Sequence, residues 1–138
     1  MKRKYELTDE TMELYGTTLH RIKALVDFSD VKAGDLGGWI EKEDNLSQYD
    51  DAWVYGNARI YGKAVVGGNA KIYGNAEVGG NAKIYGYAWV YGNAKVGGNA
   101  KIYGHAWVYG NAKVGGNAKI YGDVRVNSNK DYIVFKDW

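Results

Sequence analysis

The sequence predicts an all-β fold, a three-sided parallel β-solenoid with 18 residues per coil. Three observations predict it. From Asp51 to Gly122 the chain is twelve consecutive six-residue blocks, and in each the second residue is Ala, the fourth Val or Ile and the sixth Gly. Residues 87–104 and 105–122 are identical except that Tyr87 becomes His105, so the blocks group in threes. Finally, 138 residues hold 20 Gly, 13 Tyr, 5 Trp and 2 Phe but no Pro and no Cys, which excludes collagen, a disulfide framework and thiolate sites and argues against disorder.

Each element follows in order. Residues 1–34 read as a cap and lead-in, because Tyr5 and Leu7, then Leu19, Arg21, Lys23 and Leu25, alternate around Gly16 as an antiparallel hairpin does. The hairpin is expected to lie across the first coil, where it would cover strand edges that otherwise template aggregation. Residues 35–50 form an irregular first coil, with Trp39, Ile40 and Leu46 as its inward or sealing groups. Residues 51–128 are the solenoid proper. Within a block, Ala and Val/Ile lie two apart and share the inner face, while the third and fifth residues point outward. Gly at the sixth place, followed in most blocks by Asn at the first, sets the two residues most tolerant of positive φ side by side, so the chain bends every six residues. Three sides close one coil, and copies 18 residues apart stack as parallel strands about 4.8 Å apart. Residues 129–138 are a C-terminal cap in which Asp131–Phe135 reads as a last strand, or as the start of a further module.

The stretch Val26–Ile40, with Asn45-Leu46-Ser47 and Asp51-Ala52-Trp53-Val54-Tyr55, resembles the lead-in of the YdcK-like hexapeptide-repeat β-solenoids of bacteria and phages. The resemblance covers residues 20–126, and the aliphatic-then-small spacing of that repeat is matched by Val54 to Ala58 and Ile60 to Ala64. It implies a single-stranded left-handed parallel β-helix, a handedness that the rule for ordinary parallel crossovers would not give. It also implies a phage or prophage setting and, since such proteins are often labelled acyltransferases, a coenzyme A-dependent acyl transfer.

Stacking every 18 residues lets the outward columns be written out. One face carries Trp53, Lys71, Trp89, Trp107 and Arg125 beside Tyr55, Tyr73, Tyr91 and Tyr109, an aromatic ladder. A second carries Arg59, Glu77, Lys95 and Lys113 beside Tyr61, Gly79, Gly97 and Gly115, and is low and smooth. The third sets Val65, Lys83, Lys101 and Lys119 beside Gly67, Tyr85, Tyr103 and Tyr121. Residues 1–50 hold 7 basic and 11 acidic groups and residues 51–138 hold 11 basic and 5 acidic, so the solenoid is positive and the lead-in negative. A lysine column attracts anions, and tyrosines beside it offer stacking to bases. The same residues also solvate a strand edge and pack on a pleated surface, which needs no ligand.

Catalytic signals are sparse. His20 falls in the cap hairpin, and His105 at a corner is the one candidate base in the solenoid. No insertion interrupts the hexads, so no loop leaves the barrel to build a pocket. Asp27, Asp30, Asp35, Glu41, Glu43 and Asp44 cluster in the lead-in, where they solvate loops and cap turns; no metal site is expected. Gly37-Gly38 lacks the lysine of a phosphate loop. Nothing near Met1 reads as a signal peptide or membrane span, so a cytoplasmic protein with no membrane partner is expected.

Three functions follow. The first is a noncatalytic scaffold that binds a protein partner, or itself as a homo-oligomer, through Trp53, Trp89, Trp107 and the Tyr55, Tyr73, Tyr91, Tyr109 column, with no cofactor. The second binds a nucleotide or nucleic acid through Lys83, Lys101, Lys119 and Tyr85, Tyr103, Tyr121. The third, from the resemblance, is an acyltransferase using coenzyme A and His105.

Overall fold

The alternation inside each hexad builds the core. The computed structural model describes residues 3–127, and there every second-place Ala from Ala52 to Ala118 is fully buried and the Val or Ile two residues on is buried with it. The third and fourth residues of each hexad form a two-residue strand, beginning with Trp53–Val54, Arg59–Ile60 and Val65–Val66. Each strand pairs in parallel with its copy 18 residues on, so Trp53, Lys71, Trp89, Trp107 and Arg125 stand in register, as do Val65, Lys83, Lys101 and Lys119. Backbone groups are satisfied between coils; Lys101 N–H, for example, donates to Ala118 O at 2.9 Å. The expected 18-residue coil is therefore present on all three faces.

The corners differ from expectation in one respect. Gly takes positive φ at every corner, but no Asn does; the i to i+3 bond from Ala58 N–H to Tyr55 O spans Gly56, at φ +58, and Asn57. That is the pattern of a type II′ turn, which needs positive φ only at its first central residue. The asparagines instead bond up the stack, Asn81 to Asn99 at 3.1 Å and Asn99 to Asn117 at 3.4 Å. Corner glycines also stack closely: a Cβ on Gly80, at φ +62, would lie 2.9 Å from Gly98 N and 3.0 Å from Gly98 O.

At the N-terminal end β1 (Tyr5–Leu14) and β2 (Thr17–Ala24) form the expected antiparallel hairpin. Its N-terminal end reaches over the first coil, where the hydroxyl of buried Tyr5 donates to Glu43 O and Leu46 O and its ring packs on Trp53. β2 pairs antiparallel with β3 (Leu36–Ile40), which pairs parallel with Arg59–Ile60, so the hairpin extends one face edge to edge into a seven-stranded sheet. This places the backbone pairing of the cap in plane with the sheet, where it satisfies the strand edge directly. The tip turns onto the face: Tyr15 Oη donates to Glu77 Oε1 at 2.8 Å, and its ring meets Tyr61 edge-on at 5.9 Å. Tyr61 in turn covers Gly79, where any Cβ would strike the ring, so this face is not smooth.

The first coil is irregular because it holds two extra residues. Ile40 pairs with Ile60 and Leu46 with Val66, a separation of 20, whereas Val54 onward keeps 18. A 3-10 turn, Glu43–Asn45, precedes Leu46. Asn45 is buried there and fully used, accepting from Glu41 and Lys42 N–H and donating to Gly62 and Ala64 O. Gly37 and Gly38 are packing residues, not a phosphate loop: a Cβ on Gly37 would sit 2.6 Å from Val54 O and 2.7 Å from both Ile22 and Trp53. Lys4 is buried, its ammonium donating to Asp50 O at 2.8 Å and Ala52 O at 2.7 Å, and burial lowers its pKa to about 8 against the pull of Asp50 and Asp51. No helix among the described residues is long and apolar enough to cross a membrane. The expected C-terminal strand Asp131–Phe135 lies outside the described residues.

Candidate functional site

The Trp face gains a third column at its corner, since the first-place residues Asp51, Asn69, Tyr87, His105 and Asp123 flank the indoles. Strand periodicity then puts Tyr87, Trp89 and Tyr91 on one strand and His105, Trp107 and Tyr109 on the next, all facing outward. The rings stack in pairs across the strand gap: Tyr87 on His105 at 5.0 Å, Trp89 on Trp107 at 4.8 Å and Tyr91 on Tyr109 at 5.0 Å, each within 9° of parallel. Tyr73 stacks on Tyr91 at 4.6 Å and meets Trp89 edge-on. Stacking at the strand spacing leaves ring edges and hydroxyls facing solvent, with ring faces turned toward neighbouring coils.

Trp53 does not belong to this exposed ladder. It is 1% exposed, held edge-on between Tyr5 at 6.1 Å and Phe28 at 5.3 Å. The expectation of three exposed tryptophans fails because the cap brings two rings from distant sequence over the first rung. Phe28, an aromatic residue in the lead-in with no place in the repeat, was the signal. Tyr55 is likewise half-buried; its hydroxyl donates to Asp30 Oδ1 at 2.8 Å, and burial together with that bond pushes the phenol well above its ordinary pKa.

Cations close the ladder at both ends. The Arg125 guanidinium lies over Trp107, 4.0 Å from the ring centroid, and the Lys71 ammonium is 6.0 Å from Trp89 and 4.0 Å from Asp30 Oδ2. Lys71 stands where the column would hold another indole. Depressions flank it on both sides, one of about 280 Å³ lined by Asp30, Tyr55, Lys71, Tyr73 and Trp89, the other of about 370 Å³ reaching Ser29, Asp51, Asn69 and Tyr87. The sequence reading places Lys71 and Arg125 in the Trp column, Asp30 in the acidic lead-in and Tyr87 at the corner of His105, but gives none of them a binding role.

On the third face Tyr85, Tyr103 and Tyr121 stack at 4.9 and 5.3 Å, within 11° of parallel, beside Lys83, Lys101 and Lys119. Each interior ring face is already covered by another tyrosine. A base therefore finds no open ring face between these coils, and only the outer faces of Tyr85 and Tyr121 are left by the stack. His105 is exposed and borders a depression of about 540 Å³ with Tyr87, Trp89, Trp107, Asp123 and Arg125. His20 lies within the hairpin with its Nδ1 3.2 Å from Thr8 O. Asp27 and Asp35 accept from Ala33 and Lys32 N–H, and Glu41 and Asp50 accept from Gly62 and Gly68 N–H, so these acids cap turns and the first corners. No group of three His, Asp or Glu able to hold a metal occurs among the described residues.

Comparison with known proteins bears on the repeat and its N-terminal junction. The family described as the YdcK Beta solenoid repeat matches residues 49–68, the corner and strands on which Trp53, Tyr55 and Arg59 sit. A protein of Escherichia coli (strain K12) named "Uncharacterized acetyltransferase YdcK" is 42% identical over 72 residues, covering 46% of this chain and 22% of that protein. The solenoid is thus YdcK-like, as its lead-in and hexads indicate. The chain matches about a fifth of the length of that curated relative.

Proposed function

We propose that the chain is a noncatalytic docking module that presents the Trp89–Trp107 face to a protein partner. The observation that carries this reading is the six-ring block of Tyr87, Trp89 and Tyr91 over His105, Trp107 and Tyr109, stacked within 9° of parallel and facing outward. Aromatic side chains dominate binding energy at interfaces, and rings already locked by their neighbours lose little further freedom on docking. The outward edges combine apolar carbon with hydroxyl and indole N–H donors, the mixed chemistry of an interface core and rim. Tyr73, backed by Tyr55, supports the block from the cap side. Size-exclusion with light scattering and pull-down, comparing the wild type with W89S/W107S, test it. A partner, or a second copy, is expected to be captured by the wild type and lost from the variant; a complex retained by the variant refutes the assignment.

The depression beside His105 favours a second reading, acyl transfer, which the name of the Escherichia coli relative also suggests. His105 would be the base and Arg125 would face the anionic carrier. Calorimetry with coenzyme A decides it, and absence of a binding heat removes it. The Lys83, Lys101 and Lys119 column supports a weaker anion-binding role through phosphate alone, whose affinity would fall steeply with salt.

A further inference from the structure

The Trp column has a missing rung, and its surroundings have the chemistry of a site. Trp53 and Trp89 stand on strands two spacings apart, about 9.6 Å, with Lys71 in register between them. An indole there would fill that gap, as Trp107 fills the place above Trp89 at 4.8 Å. Instead the Trp53 ring is packed between Tyr5 and Phe28, and Lys71 crosses the floor with its ammonium 6.0 Å from the Trp89 centroid. Planar groups in contact stack at about 3.5–4 Å. The Lys71 ammonium is thus beyond stacking contact with Trp89, Tyr73 meets that ring only edge-on, and depressions of about 280 and 370 Å³ open on either side of Lys71, each bordered by Trp89.

Charge selects among planar occupants. Asp30 borders one depression and Asp51 the other, with Lys71 shared between them and the Lys4 ammonium of the cap close enough to Asp51 to interact with it. Asp30 is 63% exposed, and its Oδ1 accepts from Tyr55, which fixes the carboxylate at the rim with Oδ2 turned to Lys71. The opposite end of the same ladder displays the matching group: the Arg125 guanidinium lies 4.0 Å from the centroid of Trp107.

From these observations we infer that the trough over Lys71 takes a planar guanidinium, an arginine side chain of the docked partner, stacked on Trp89 and paired with Asp30 and Asp51. The flexible Lys71 chain swings aside as the guanidinium enters, and the fork of N–H donors meets carboxylates on both rims in a way that a lysine ammonium does not. This rests on the docking reading of the same face but is tested apart from it.

The experiment is a titration of the full chain with N-acetyl-arginine methylamide, N-acetyl-lysine methylamide and free arginine, followed by the indole N–H resonance of Trp89, assigned with W89F. The blocked arginine is expected to shift that resonance with saturation, and to bind about tenfold more tightly than the blocked lysine. D30N/D51N is expected to weaken it by a similar factor. K71W fills the rung and abolishes binding, while an unchanged or raised melting temperature shows that the fold is intact. No response of Trp89, equal responses to arginine and lysine, or an undiminished response in K71W overturns the inference, whatever W89S/W107S does to partner capture. Free arginine binding about tenfold more tightly than the blocked form overturns the assignment to a partner side chain, because the site would then be reading the amino-acid backbone.

Discussion

Three glycine-to-alanine substitutions separate the two roles of the corner. Gly97 does not have positive φ, and a Cβ there meets nothing within 4 Å; Gly56 is at φ +58 with the same open space; Gly80 is at φ +62 with Gly98 N 2.9 Å and Gly98 O 3.0 Å from the added atom. G97A is expected to be neutral or to stabilise by about 0.4–1 kcal/mol, because it only restricts the unfolded chain. G56A forces an L-residue into the left-handed region and is expected to lose about 1–2 kcal/mol. G80A adds to that the displacement of a backbone that stacks directly beneath it, about 1–3 kcal/mol more. Urea unfolding followed by tryptophan fluorescence and far-ultraviolet circular dichroism gives all three values in one host. If G80A and G56A differ by less than about 0.5 kcal/mol, which is the usual margin of such comparisons, the close stacking of corners contributes nothing and the argument fails.

Further predictions follow from the cap and the second face. W53A is expected to lose about 3–5 kcal/mol without affecting partner capture, since the ring is buried under Tyr5 and Phe28; loss of capture at full stability would refute its placement. With the Lys4 pKa near 8 when folded and 10.5 when unfolded, the unfolded chain holds more protons in that interval, so stability should rise with pH across it, by at most about 3 kcal/mol. Above pH 10 the raised phenols of Tyr5 and Tyr55 act in the opposite sense, because the unfolded chain ionises first. K4M should abolish the rise between pH 8 and 10 in urea midpoints, and an unchanged slope would rule out Lys4 as its source. E77A leaves Arg59 without its 3.0 Å partner and should cost about 2–4 kcal/mol, whereas Y15F removes one partly exposed bond and should cost about 1 kcal/mol or less; equal losses would contradict that ordering.

How much was legible in the sequence can be judged residue by residue. The register of Trp89 with Trp107 and of Lys101 with Lys119 was readable because a strict 18-residue period leaves no other way to bury Ala and Val/Ile at once. The columns on all three faces follow from that period. Ring orientation was not readable, because whether Tyr85 turns a face or an edge to solvent depends on side-chain torsions that periodicity leaves open. The φ of the corner asparagines was hidden for a similar reason: Gly-Asn suits two turn types, and the coil geometry selects the one with a single positive φ.

The sequence by itself determined the solenoid, its coil length and which residues share a face, since the six-residue block that sets them occurs twelve times and its pairings recur at one period. Only the tertiary structure decided that Trp53 is buried, that Tyr15 reaches Glu77 across 62 residues, and that a trough opens over Lys71 beside Asp30. Each of those is made once, between the cap and a coil remote from it in the chain. A contact with no repeat leaves no periodic trace, and its geometry is fixed only when the two segments pack.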